Sequence, residues 1–195
     1  MDGETEWCMQ LGISSVPLRF YEIVQLDGRN GLGYVISAYD GKRFFLVGID
    51  TQGREQWIRE IFTRDADLHT FVLPIPETDG FYFIYSDRNN LDTNLTPKVL
   101  RFSIDGDVLI STQLETPGTS DQGFVVNTGG VHANGLTVAG RMVRARHLTS
   151  NTVEMDATSI GLPPPEEHAV GIVVDLRDDL RVLDAWSYDL SLIHI

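Results

Sequence analysis

IDTQGREQWIREI (Ile49–Ile61) sets an Asp/Gly turn directly before an apolar strand that carries a tryptophan. Two other stretches share this pattern: GETEWCMQL (Gly3–Leu11) and IDGDVLISTQL (Ile104–Leu114). A turn-plus-strand element that recurs at a period of roughly 50 residues signals a repeat architecture. EQWIREIF within it has the length and setting of a strand rather than a helical turn.

Upstream lie RFYEIVQL (Arg19–Leu26), GYVISAY (Gly33–Tyr39) and RFFLVGI (Arg43–Ile49), each rich in β-branched and aromatic residues and bounded by Gly or Asp. With EQWIREI they make a block of four strands over 19–62. A second block, 67–115, runs HTFVLPI, GFYFIYSD, KVLRFSID and DVLISTQL. A third, 123–189, runs GFVVNT, LTVAGRMVRA, AVGIVVDL and LRVLDAWSYDL. In each block the third strand ends at an Asp: Asp50, Asp105 and Asp175. The third block is longer because 147–168 reads as an inserted loop, and Pro163 to Pro165 would interrupt a strand there.

Four-stranded antiparallel units at this period are the signature of propeller blades, each a small sheet that buries both faces only by stacking on its neighbours. The expected fold is therefore all-β, a partial β-propeller of about three four-stranded blades. The alternative is a β-sandwich, which also has short, evenly spaced strands but has no need for the Asp-turn-strand element to recur.

The order Asp50, Gly53, Trp57, with Gly3 and Trp7 near the N-terminus, resembles bacterial propeller repeats of the pyrroloquinoline-quinone-like and surface-protein kind. The resemblance implies that Trp57 and Trp7 dock between neighbouring blades, with Asp50 and Gly53 forming the turn. Block two departs from the pattern by placing Ile110 near the Trp position. In block three Asp178 and Val182 stand in place of Gly and Trp. The resemblance further implies a bacterial parent that is exported or on the cell surface. Residues 1–13 then read as the last strand of a preceding blade, and the chain as part of a longer protein. LSLIHI (190–195) resembles a translated sequencing-library adapter, so it is set aside as a non-native tail.

The chain has 195 residues, 28 of them acidic and 15 basic, for a net charge of −13. That balance disfavours nucleic acid and anionic membrane surfaces as partners, since both are polyanions. No apolar run approaches the roughly 20 residues of a membrane-spanning helix. Cys8 is the sole cysteine, so no internal disulfide forms and packing must hold the fold.

Candidate sites are sparse. His69, His132, His147, His168 and His194 are mutually distant in sequence and have no metal-site spacing. Asp87, Asn89, Asp92 and Asn94, within SDRNNLDTN (Ser86–Asn94), offer the hard oxygens that calcium takes. The stretch lacks the Gly and distal Glu of an EF-hand loop, and a solvated loop is the preferred reading. Arg144 and Arg146 share one face of a strand and could grip a carboxylate or phosphate; pairing with nearby acids is the preferred reading. Ser103-Ile104-Asp105 begins like the box of sialidase-type propellers but continues differently. No sequence feature singles out a pair of catalytic carboxylates or a set of quinone ligands. The expected function is a non-catalytic scaffold or binding module for a protein or glycan. A fragment of a quinone-dependent dehydrogenase or glycoside hydrolase is the alternative.

Overall fold

The computed structural model describes residues 18–26, 31–63, 70–78, 80–88, 95–114, 122–144, 152–155, 158–161 and 170–189. Every element in them is a strand. Blade one comprises β1 (Arg19–Gln25), β2 (Leu32–Tyr39), β3 (Arg43–Asp50) and β4 (Glu55–Thr63), paired in that order. Blade two comprises β5 (Thr70–Pro74), β6 (Gly80–Arg88), β7 (Leu95–Ser103) and β8 (Val108–Gln113), again in order. Blade three is formed by β9 (Gln122–His132), β10 (Gly135–Arg144), β13 (Val170–Arg177) and β14 (Val182–Asp189). All neighbouring pairs are antiparallel. Between β10 and β13 the chain makes a separate hairpin, β11 (Thr152–Met155) with β12 (Thr158–Gly161), which packs along β14. The stretch read from sequence as an inserted loop thus contains a small sheet of its own. Pro163 to Pro165 lie outside the described residues.

The three sheets are stacked in a propeller-like series, not as a two-sheet sandwich. β5 lies between β1 and β9, so the first strands of the blades gather on one side. Glu22 of β1 helps to join them, its Oε2 accepting the Val72 N–H of β5 at 2.9 Å. Burial pushes the Glu22 carboxyl above its ordinary pKa, and the Val72 hydrogen bond opposes that rise.

β6 shows why stacking follows from the sequence. Its FYFIY run (Phe81–Tyr85) is apolar throughout, which suits a strand buried on both faces rather than one. By strand alternation, Phe81, Phe83 and Tyr85 enter the core between blades one and two, with Phe44, Leu46 and Trp57. Tyr82 and Ile84 enter the core between blades two and three, with Phe124, Leu136, Ile172 and Val174. Phe81, Tyr82, Phe83 and Ile84 are all fully buried. A charge at any of them would be stranded in one seam or the other.

Candidate functional site

The β3–β4 turn is built around Asp50. The Asp50 N–H donates to the Arg54 carbonyl and the Gly53 N–H to the Asp50 carbonyl, at 2.9 and 3.1 Å. Gly53 takes φ +79°, where a side chain would strain the backbone. The Asp50 carboxylate accepts the Gln52 and Arg54 N–H groups at 2.8 Å each, and Arg54 Nε at 2.7 Å. The Arg54 N–H is the main cause that holds this carboxyl below its ordinary pKa, against burial; the Arg54 guanidinium and the Gln52 N–H add to it. Asp40 organises the β2–β3 turn in the same way, accepting the Lys42 and Arg43 N–H groups and Arg43 Nε.

Hydrogen bonds place the other two blades in register with this turn. Ser103 bonds Asp107 and Gly106 as Asp50 bonds Arg54 and Gly53, and Arg177 bonds Arg181 and Leu180 in the same pattern. Gly53, Gly106 and Leu180 all have positive φ, at 79°, 75° and 60°. The residues equivalent to Asp50 are therefore Ser103 and Arg177. This corrects the alignment of Asp50 with Asp105 and Asp175, which matched residue type and missed the register. Strand pairing gives the same answer: Gly48 opposes Trp57, Arg101 opposes Ile110, and Asp175 opposes Asp184. Ile110 holds the Trp position of blade two, and Asp184 rather than Val182 holds it in blade three.

Trp57 lies across the first seam and is 8% exposed. Its Nε1–H donates to the Ile104 carbonyl in the β7–β8 turn of blade two at 2.7 Å. Its ring lies parallel to Phe81 at 6.2 Å, and Phe81 stacks on Phe102 at 5.0 Å. Glycine clears space on both sides: a Cβ on Gly48 would overlap the indole, and one on Gly106 would stand 2.6 Å from Trp57 Cδ2. Two residues on, Arg59 grips the same turn, its Nε donating to the Gly106 carbonyl at 3.0 Å and Nη2 to the Asp105 carbonyl at 3.1 Å.

The second seam satisfies the same position with different sizes. Arg101, equivalent to Gly48, donates from Nη1 to the Asp178 carbonyl at 3.4 Å, and Asp178 is equivalent to Ile104. Ile110 replaces Trp57, and Leu180, 2% exposed, replaces Gly106. The set Gly48, Trp57 and Gly106 is thus exchanged for Arg101, Ile110 and Leu180: one large ring between two glycines gives way to three middle-sized groups. Burial raises the pKa of the Tyr82 phenol beside this seam; Arg101 opposes the rise and Asp178 adds to it.

An open cleft of about 530 Å³ lies at the first seam, lined by Asp50, Arg54, Gln56, Trp57, Arg59 and Asp105 among others. Most of its polar atoms are engaged in the turn contacts just described. Among the described residues no group of three His, Cys, Asp or Glu side chains could hold a metal ion. Among the same described residues no helix is long and apolar enough to cross a membrane.

Of the residues singled out in the sequence, Asp50, Gly53 and Trp57 come together at this seam. Asp87 and Arg144 are in β6 and β10, their backbones paired with Thr96 and Gln122. Trp7, Asn89, Asp92, Asn94 and Arg146 lie outside the described residues. Sequence reasoning missed one polar cluster on blade three: Asp175 Oδ1 lies 2.8 Å from His132 Nε2 and accepts the Thr137 hydroxyl at 2.9 Å. The signal is the pairing of Thr137 with Asp175 across β10 and β13, which needs the register to be seen.

No protein-family model matches the chain, and no curated protein does.

Proposed function

We propose that the chain is a non-catalytic propeller-like scaffold that presents a binding surface within a longer protein. The observation that carries this reading is the use made of the polar residues at the first seam. Asp50 spends its carboxylate oxygens on its own turn. Arg59 spends its guanidinium on the next blade's carbonyls, and Trp57 spends its N–H there as well. These groups fix one sheet against the next, and such rigid elements suit a platform for surface recognition. The partner class in this reading is a protein or a glycan.

The test is turnover. The full chain is assayed against aryl glycosides and, with pyrroloquinoline quinone and calcium added, for dye reduction with alcohols. The scaffold reading expects rates equal to buffer. A rate above buffer that is abolished by an Asp→Asn or Glu→Gln substitution would overturn it.

A further inference from the structure

One set of polar side chains at the first seam has no counterpart at the second. The turn hydrogen bonds make Asp107 and Arg181 the equivalents of Arg54. Two residues on, each fourth strand bulges at the same place, so that Gln56, Leu109 and Leu183 are passed over in the pairing. Leu109 and Leu183 are exposed, at 60% and 46%, so the fold needs no amide at this position. Asp50, Arg54 and Gln56 at the first seam become Ser103, Asp107 and Leu109 at the second, yet both seams close over buried cores. The needs of the turn and the stack therefore do not account for Arg54 and Gln56.

Both residues line the open cleft between blades one and two. Among the described contacts the Arg54 side chain bonds through Nε alone, to Asp50 Oδ2 at 2.7 Å. That bond anchors the guanidinium and leaves the Nη1 and Nη2 pair for a second acceptor, and two parallel N–H groups of this kind suit a carboxylate. Gln56 Nε2 donates to Asp50 Oδ2 at 3.1 Å, while its Oε1 accepts nothing among the described contacts. On the blade-two side stands Asp105, whose carbonyl holds Arg59. Its carboxylate is exposed and has no partner among the described contacts. The Trp57 indole, packed between Gly48 and Gly106, separates Arg54 from Asp105. The charged side chains of the lining, Arg54 and Arg59 against Asp50 and Asp105, cancel. A cleft with an open cation at one side, an open anion at the other and no net charge complements a ligand of the same kind: a carboxylate, an apolar stem and an ammonium. Such a ligand also escapes the repulsion that a net charge of −13 exerts on a free anion.

We propose that the cleft at the first seam binds the C-terminal lysine of a partner polypeptide. The terminal carboxylate sits on Arg54 Nη1 and Nη2, the stem crosses the rim formed by Trp57 and Ile104, and the ε-ammonium meets Asp105. The terminal residue's own N–H, adjacent to its carboxylate, donates to Gln56 Oε1. Lysine suits the far end because a compact ammonium on a flexible four-carbon stem can approach one exposed carboxylate from any direction. This inference rests on the scaffold reading and chooses, between its two partner classes, a protein.

The probe is the peptide Gly-Gly-Ser-Lys with a free C-terminal carboxylate, titrated into the full 195-residue chain. Binding is followed by NMR through the Trp57 indole N–H resonance, which Trp57→Phe identifies. The same peptide as a C-terminal amide, and the same peptide with ε-acetyl-lysine, are the controls. Each should bind at least about tenfold more weakly, the loss expected for one charge-assisted contact. Asp105→Asn and Arg54→Lys should each weaken the free-acid peptide by about the same factor, and Asp105→Asn, at an exposed position, should leave the melting temperature unchanged. Gln56→Leu, which installs the side chain that blades two and three carry there, should also weaken binding while the chain stays folded. Glu77→Gln, which removes one charge from an exposed position on blade two, should leave binding unchanged. Equal affinity for the amide or the acetylated peptide, full affinity in Asp105→Asn, or an equal loss in Glu77→Gln would overturn the proposal. So would tighter binding of glucuronate, because the occupant would then be an acidic sugar, or binding of 6-aminohexanoate without the peptide, because it would then be a small zwitterion. Each of these failures leaves the turnover assay untouched, so the scaffold reading stands or falls separately.

Discussion

Replacing Trp57 by Ala removes a side chain that both fills the first seam and bonds across it. A tryptophan buries about 150–250 Å², which at ~25 cal/mol per Å² corresponds to about 4–6 kcal/mol as an upper estimate. Large aromatic-to-Ala substitutions in cores cost about 3–5 kcal/mol. Gly48 and Gly106 have no side chains with which to refill the space, so the cost belongs at the upper end of that range. The lost Nε1 hydrogen bond to the Ile104 carbonyl adds about 1 kcal/mol. For a chain of this size the melting temperature should fall by on the order of 10 °C. Denaturant unfolding followed by far-UV circular dichroism measures the change in midpoint. Trp57→Phe separates ring from N–H and should cost less than half as much. Trp186→Ala, at an exposed position, should stay within about 0.5 kcal/mol. If Trp57→Ala and Trp186→Ala shift the midpoint equally, or if Trp57→Ala shifts it negligibly, the indole does not hold the blades together and the seam argument is wrong.

Gly48→Ala should destabilise by about 2 kcal/mol or more through overpacking, and the penalty should disappear in a Trp57→Ala background. Strict additivity in a double-mutant unfolding cycle would contradict the contact. Leu180→Gly relieves a positive φ but empties part of the second seam, so chemical denaturation should show a net loss of about 1–3 kcal/mol. Asp50 has a folded pKa below its unfolded value of about 3.9. Its stabilising contribution is therefore complete above that value and is lost as pH falls through the lowered pKa; Asp50→Asn should flatten the acid limb of melting temperature against pH. Glu22 is shifted the other way, so its charged form opposes folding until pH falls through the raised pKa. Glu22→Gln should raise the melting temperature at neutral pH and converge with the parent in acid.

The sequence made the strands legible because their chemistry is local. The FYFIY run of β6 and the Asp-Gly turn at Asp40 announce themselves through composition and spacing. EQWIREI reads as a strand, and β4 is one. Register across sheets was not legible, because it depends on which carbonyl a turn presents to its neighbour. Asp105 and Asp175 looked like relatives of Asp50 by letter, yet the turn hydrogen bonds pass through Ser103 and Arg177. Leu180 hid the third turn, since only the backbone shows that a leucine occupies a glycine's conformation. Likewise the Gly48–Trp57–Gly106 set cannot be recognised as equivalent to Arg101–Ile110–Leu180 until the sheets are placed side by side. The His132–Asp175–Thr137 cluster joins three strands and leaves no spacing signal.

The exchange of sizes between the seams bears on how such arrays can grow by gene duplication. A tandem copy of β1–β4 would bring Trp57 over the Gly53 turn of its own duplicate, where another glycine waits, and the joint would close as inherited. A tandem copy of β5–β8 would set Ile110 over Gly106 and leave a void where Leu180 now stands, so that duplicate would need a second mutation before it packed. The unit that packs as a whole therefore straddles two sheets, running from an outer strand of one blade to the turn of the next. A chimaera cut anywhere between Trp57 and Gly106 would separate the two halves of the first joint.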